Sequence, residues 1–448
     1  MANIPAQISV DTRRRPGWAA FICLVLLSAT FLNYANRFAL TENSQRVQVA
    51  FETNKEGYGY ASGMFSLGFA LGGLTFGILA DWLNVRWLYP VVVVVWSLAG
   101  IASGMVDTLL GLSCAQFTLG LFEAGHWPCS LRTTQRVFHP AHRTLANSVL
   151  QSGASLGAVA TPLLIVLLLK VDPDQWRWAF FIVGGIGIPW AIVWCFSVTD
   201  DDLRREVIQT DETSAGIGRS EAIRESSFWQ VLLTRRWWLL LVVVICINVP
   251  WHYVRVWFPD TLQEEHGYSP EFVGYFRSIY YLATFFGSLA AGALTAWLPR
   301  RGWNVHRSRM FAFLLFGLMS AMSIVAAFLP TGWWLLAALL IVAFGSLGVF
   351  PVYYSLNQEL SGKHQGKVGG TLAFSTWMIL ALVHPAVGKL LDSYPDVRPY
   401  LFASVGVGPL LAFFVLLLFW GRRQTSAVDA SRTLATGNSG SPQAIGGS

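Results

Sequence analysis

GILADWLNVRW, residues 77–87, joins two long apolar stretches, 58–80 and 87–107. Each stretch is long enough to cross a bilayer, which takes about 20 apolar residues. Gly77 can let two helices approach closely. Asp81 and Arg86 sit in the short polar joint, placed to form a charge network at the membrane face. The joint therefore reads as a tight turn between two membrane-crossing helices.

The same alternation runs outward in both directions. Spans are expected near 18–37, 58–80, 87–107, 109–131, 144–168, 178–198, 237–259, 271–297, 310–329, 332–354, 367–388 and 399–420. The composition agrees. Hydrophobic residues make up 54% of the 448 and charged residues only 12%, where soluble domains carry about 25% charged. The class is an all-α integral membrane protein with twelve transmembrane helices in two six-helix halves. The first stretch follows Arg13, Arg14 and Arg15 but ends in LNYANR, without a small-residue cleavage site, so it reads as a span and not a signal peptide.

An even number of spans puts both termini on one face. Of 31 Lys and Arg residues, 22 fall in the segments on that face, which makes it cytoplasmic. The net charge of +6 follows from this bias, and nucleic acid need not be invoked. Cys23, Cys114, Cys129, Cys195 and Cys246 all lie within spans, with no metal-ligand spacing. No GxxxxGK[ST] loop is present, so neither a metal, a cofactor nor an enzymatic activity is expected.

The organisation is a cytoplasmic tail (1–17), a six-helix half (18–198), a polar linker (199–236), a second half (237–420) and a Ser/Gly/Ala-rich disordered tail (421–448). The linker carries a candidate amphipathic helix near 219–233. Small residues at Gly153, Gly157, Gly287 and Gly292 read as packing faces.

Ionisable residues inside spans are costly and mark function. Arg37 closes the first span, with Tyr34 three residues earlier on the same helix face. Arg37 can hold a carboxylate through two hydrogen bonds, or snorkel to the interface. Glu123 is mid-span in LGLFEAGHWPCS and is a candidate proton carrier, or else the structural partner of an arginine. His126 shares its face if the helix is continuous, as a relay, a substrate contact or a packing histidine; Pro128 can bend the helix there. Arg255 lies in the seventh span, 218 residues after Arg37, flanked by His252 and Tyr253, and the two arginines can face each other between the halves. Arg277, near Tyr280 and Tyr281, is a third basic candidate or a snorkelling residue. Gln151 and Ser152, with Ser375, Thr376 and Trp377, can bind hydroxyls, and Trp377 can stack on a sugar ring. Asn357 and Glu359 read as cap or gate residues.

The 6+6 layout with a charged central linker fits the major facilitator architecture, and 77–87 resembles its loop signature. Asn84 replaces a usual glycine, only one basic residue follows, and Ala296 stands where the second half would repeat the acid. The resemblance implies that Asp81 and Arg86 act in gating. NYANR, GLFEAG, QSGASLGAVATPLL and DQWRWAFFI further resemble the anion:cation symporter family, which includes bacterial hexuronate and galactonate carriers. That likeness spans 15–423 and implies a multi-pass protein of the bacterial inner membrane that takes up organic anions with protons. It places Tyr34 and Arg37 in the substrate site and Glu123 in proton coupling. The sequence departs at Asn36, Gln116, Phe69 and Ala154, where the family has an acid, an arginine, a tyrosine and a glutamine.

The expected function is proton symport of a sugar acid, a hexuronate or aldonate, by alternating access. Tyr34, Arg37, His126, Gln151, Tyr253, Arg255, Ser375 and Trp377 are the candidate substrate residues. Protons are the coupling ion, and the partners are a small organic anion and the bilayer. A monomer suffices, because one chain supplies both halves. The rival readings are organophosphate exchange, which suits an arginine pair, and a carrier-like membrane sensor.

Overall fold

The computed structural model describes residues 17–138, 140–172, 175–204, 228–358, 360 and 365–420. Its helices are α1 (Trp18–Glu42), α2 (Ser44–Ala50), α3 (Lys55–Trp82), α4 (Val85–Met105), α5 (Leu109–Glu123), α6 (His126–Val137), α7 (Pro140–Val171), α8 (Trp178–Ser197) and α9 (Asp200–Arg204) in the first part. The second part holds α10 (Phe228–Leu232), α11 (Arg235–Glu264), α12 (Pro270–Arg300), α13 (Val305–Ala326), α14 (Trp333–Gly348), α15 (Phe350–Gln358), α16 (Gln365–Ser393) and α17 (Arg398–Phe419). Of the expected amphipathic helix near 219–233, only α10 falls within the described residues; the C-terminal tail lies outside them.

Among the described residues eleven spans are long and apolar enough to cross a membrane, with α14 and α15 forming one of them. The expected fourth span is the exception, because a break divides it into α5 of 15 residues and α6 of 12, each too short to cross a membrane alone. α5 ends at Glu123 and α6 restarts at His126. Gly125 lies at this break, where a Cβ would come within 2.9 Å of the Phe76 ring. Pro128 falls in the first turn of α6, where a missing N–H is tolerated.

Side-chain oxygens cap several helices. Asn54 accepts from the Gly57 N–H and Thr108 from the Gly111 N–H. Within the first half α1 packs on α7, α3 on α5, and α4 on α8; within the second, α13 packs on α17 and α12 on α14. Gly153 and Gly157 seat α7 against α1, since a Cβ at either would meet the carbonyls of Leu27 at 2.3 Å and Phe31 at 2.6 Å. Gly77 does not behave as its sequence context led us to expect: among the described residues nothing lies within 4 Å of a Cβ there, and the same holds for Gly292.

The two halves meet along one end of the helices. α3 and α16 are joined from Phe69–Trp377, with ring centroids 4.4 Å apart, to Asp392, which accepts from the N–H groups of Lys55 at 3.1 Å and Glu56 at 2.7 Å. Asp260 of α11 accepts from Ser44, and from Gln48 at 3.2 Å, both on α2. Glu264 at the end of α11 pairs with Lys55 at 3.1 Å. Ser278 of α12 donates to the Val159 carbonyl of α7 at 2.9 Å. Apart from the mid-helix Phe69–Trp377 pair, these contacts involve α2, which follows α1, the C-terminal parts of α7, α11 and α16, and the N-terminal parts of α3 and α12. Those segments share one face of the membrane, so the structure is sealed at that face.

Glycines set the closeness of the seal. A Cβ at Gly59 would lie 2.5 Å from the His384 carbonyl, and one at Gly63 would lie 2.6 Å from that of Ala381. Both obstacles are backbone atoms. Gly63→Val is therefore expected to hold this end open, since overpacking costs about 1–3 kcal/mol. That corresponds to a shift of roughly 5- to 150-fold between conformations. Thiol labelling of Ser44→Cys, buried in the seal, should speed up accordingly; unchanged labelling would disprove the role of the glycine.

Candidate functional site

Arg37 and Asn33 sit one turn apart on α1, and Glu123 is the last residue of α5. Arg37 Nε and Nη2 both reach Glu123 Oε2, at 3.3 and 3.2 Å, and Nη2 also donates to Asn33 Oδ1 at 3.2 Å. Because α5 stops here, the Glu123 carbonyl has no helical donor. Asn33 Nδ2 supplies one at 3.1 Å. The pair is buried, with Glu123 at 0% and Arg37 at 8% exposure. Arg37 does not snorkel. Four rings surround its guanidinium: Tyr34 at 4.9 Å, Phe69 at 4.7 Å, Phe65 at 5.3 Å and Trp377 at 5.5 Å. Glu123 Oε1 has no hydrogen-bond partner.

Arg255 approaches from α11 in the other half, close enough to interact electrostatically with both Arg37 and Glu123. It is 5% exposed, its Nε and Nη1 are unpartnered, and among the described residues no carboxylate lies within ion-pair distance. Its carbonyl is also unusual. Pro259, four residues on, has no N–H to close the helical bond. Arg277 Nη2 takes that acceptor at 3.0 Å. Arg277 also pairs with Glu42 at 3.1 Å across the halves and donates to Tyr281. It is 1% exposed, which overturns the snorkelling alternative.

The remaining candidates divide. Trp377 stands beside Arg37, with one neighbour at Phe69 and His252 edge-on at 4.7 Å. Tyr34 lies against Arg37. His126 is committed elsewhere. The break after Glu123 removes the continuous helix on which a shared face depended, and the ring bridges Tyr89 Oη at 2.8 Å and Thr30 Oγ1 at 3.0 Å. Thr30 already donates to the Leu26 carbonyl, so the histidine carries its hydrogen on Nε2 and accepts from Tyr89 at Nδ1. Neither nitrogen is left for a substrate or a relay in this state. Tyr89→Phe should strand that buried Nδ1 and cost about 1–3 kcal/mol of stability, lowering the thermal midpoint in detergent without changing the KM for transport. A raised KM with an unchanged midpoint would restore His126 to the substrate site.

Tyr253 is buried in an apolar cluster shared by the two halves, with Phe38, Tyr58 and Trp257, and two residues along the helix turn it well away from the Arg255 face. Gln151 is exposed and Ser375 half-buried. Arg86 pairs with Asp200 at 2.7 Å, and Asn84 Nδ2 donates to the same carboxylate at 2.5 Å, so the acid that Arg86 meets comes from α9. The side chain of Asp81 lies outside the described residues, as does Glu359. Asn36 and Gln116 turn into the first half, donating to the Leu32 carbonyl at 3.1 Å and to Ser103 at 3.0 Å.

Buried charges thus cluster where two six-helix halves meet, and the halves are joined at one end. The sequence profile of the Major Facilitator Superfamily matches residues 26–382. The chain belongs to that superfamily. It is a multi-pass membrane transporter by family, and its relatives are named as transporters, not enzymes. Among curated relatives, a D-galactonate transporter of Escherichia coli O6:H1 is 25% identical over 85% of this chain and 91% of its own length. A probable galactarate/D-glucarate transporter of Escherichia coli K12 is 23% identical over 93% and 96%. Among solved superfamily structures, a bacterial homologue of the human lysosomal transporter Spinster superposes with a TM-score of 0.69 at 15% identity, over 90% of this chain and 96% of that one.

Sequence reasoning missed Glu42, Asp260, Glu264, Asp392 and His384 as participants. The first four sit where apolar runs give way to loops and read as ordinary helix ends. His384 carried a usable signal, a histidine within the apolar run LALVHPAVG.

Proposed function

We propose that the chain carries a sugar-acid monoanion together with a proton, by alternating access of one central site. The observation that carries this reading is Arg255, a buried guanidinium with two unpartnered nitrogens within electrostatic reach of Arg37 and Glu123. An uncompensated buried charge is expensive. A substrate carboxylate would supply the missing acceptors through two charge-assisted hydrogen bonds.

Charge bookkeeping supports proton coupling. Arg37, Arg255 and ionised Glu123 sum to +1. Adding a monoanion and a proton on Glu123 leaves the site at +1 again. The empty and fully loaded carriers then face the same electrostatic cost on reorienting, while a carrier holding only one of the two does not. Protonation of Glu123 also weakens its hold on Arg37, freeing that guanidinium for the anion. The named relatives, carriers of galactonate and of galactarate or glucarate, direct attention to polyhydroxylated acids.

With both termini cytoplasmic, as the Lys and Arg distribution predicts, the sealed end faces outside and the state described here opens inward. Residues 199–236 then form the cytoplasmic linker between halves 18–198 and 237–420, and Arg86 with Asp81 would act at the inner gate. One chain provides the whole pathway and works as a monomer.

The test is uptake into proteoliposomes of galactonate, glucuronate, galacturonate, glucarate and a hexose phosphate, with and without an inward proton gradient. Gradient-driven accumulation of a sugar acid is expected. Proton-independent exchange of the hexose phosphate would instead identify an organophosphate exchanger and overturn the reading.

A further inference from the structure

Two histidines outside the Arg37–Glu123 pair lack partners. His252 on α11 is 4% exposed and its Nδ1 is unbonded. His384 on α16 is 1% exposed and both of its ring nitrogens are unbonded. The two rings come from different helices and their centroids are 6.2 Å apart. His252 is also edge-on to Trp377 at 4.7 Å, which places His252 against one of the rings around Arg37. Both rings are close enough to Arg255 to interact with it electrostatically. His252 precedes Arg255 by three residues, so the two share a helix face, with Cβ atoms about 5–6 Å apart.

Buried polar atoms are almost always hydrogen-bonded, and three unbonded nitrogens in one place need an explanation. A metal is a poor one, since among the described residues no group of three metal-ligating side chains occurs. Packing is also a poor one, because an apolar ring would fill the same space without stranding any nitrogen.

We infer that His252 and His384 form the hydroxyl-recognition subsite of the carrier, selecting polyhydroxylated acids over plain carboxylates. The inference rests on the reading that Arg255 receives the carboxylate of a sugar acid. The chemistry separates the two ends of such a ligand. A carboxylate only accepts hydrogen bonds and suits the guanidinium. A neutral imidazole offers one donor and one acceptor, and His384 has both free. Hydroxyls both donate and accept, so two hydroxyls of a polyol can satisfy both nitrogens, where carboxylates, which only accept, would leave the acceptor nitrogen stranded. With the carboxylate on Arg255, hydroxyls one turn of helix away fall beside His252, and those further along the chain beside His384.

The test compares two six-carbon monoanions, D-galactonate and hexanoate, which share a carboxylate and differ in hydroxyls. Binding is read as the ligand-induced shift in thermal midpoint of the purified full chain, and as KM or inhibition constant in proteoliposomes. His384→Phe and His252→Phe keep a ring of similar size and remove the nitrogens, while His384→Gln keeps one donor and one acceptor. The expected result is galactonate binding weakened about tenfold by each Phe variant, as for a lost hydrogen bond to a buried group. Hexanoate inhibition should be unchanged and His384→Gln should recover part of the galactonate affinity. The ligand-free midpoint of the Phe variants should hold or rise, since no buried nitrogen is then stranded. Equal loss of both ligands, or a lowered ligand-free midpoint with galactonate affinity intact, would show the histidines to be structural and overturn the inference. If the wild-type chain itself binds hexanoate as well as galactonate, the subsite fails while a carboxylate at Arg255 stands. If it binds neither, glucuronate, galacturonate and glucarate replace galactonate in turn, and binding of none of them overturns the carboxylate reading and the subsite with it.

Discussion

Glu123→Gln carriers are expected to equilibrate galactonate across a proteoliposome membrane without accumulating it. A monoanion moving with one proton is electrically neutral, so the pH difference alone drives it. One pH unit is worth about 1.4 kcal/mol, and wild-type vesicles should therefore reach roughly tenfold accumulation per unit. Glutamine resembles the protonated acid. Its amide oxygen can still accept from Arg37, which at present donates to Glu123 Oε2 twice, but it cannot release a proton. Counterflow should survive while the response to the gradient falls to none. Persistence of gradient-driven accumulation in Glu123→Gln would remove Glu123 from coupling and leave it a structural partner of Arg37.

Arg255→Met should separate binding from stability in the opposite sense to Arg37→Met. Arg255 is buried without a partner carboxylate among the described residues. Replacing such a charge with an apolar side chain of similar size is often neutral or stabilising, by about 1–4 kcal/mol. The ligand-free protein should unfold at the same temperature or higher. Galactonate affinity should drop by at least ~30-fold, since truncating one partner of a buried charge pair costs about 2–5 kcal/mol. Arg37→Met instead strands Glu123 at 0% exposure, and breaking a buried pair costs about 3–5 kcal/mol. Differential thermal unfolding with and without galactonate reads both quantities. Parallel destabilisation of the two variants, or undiminished affinity in Arg255→Met, would place Arg255 in the scaffold and not in the anion site.

The spans were legible because membrane-crossing helices announce themselves by length and apolarity, and among the described residues eleven of the twelve expected meet those measures. The fourth was not, because hydropathy does not register a break in the backbone. Gly125 and Pro128 marked the place, yet only packing against Phe76 and Val92 shows that the helix stops. That break also decided His126: the three-residue spacing from Glu123 holds on one helix only. Arg37, Glu123 and Arg255 were legible from cost alone, as charges in apolar runs. Their partners were not. Arg277 looked like a rim residue by its place in the sequence, and its acid, Glu42, looked like the start of a loop; their pairing at 3.1 Å depends on how two halves dock. Gly77 shows the converse, a residue whose context promised a close contact that the described residues do not make.

The contact of Asp392 with α3 divides mutational tolerance unevenly between the halves. On the α3 side the partners are the backbone N–H groups of Lys55 and Glu56, present whatever side chain stands there. Drift at positions 55 and 56 leaves this clasp intact, and only proline deletes a donor. On the α16 side a single carboxylate does the holding, and no other residue type offers the same reach and charge except a repositioned glutamate. For this one contact, side-chain variation is thus tolerated at positions 55 and 56 and restricted at 392, although both halves contribute equally to it.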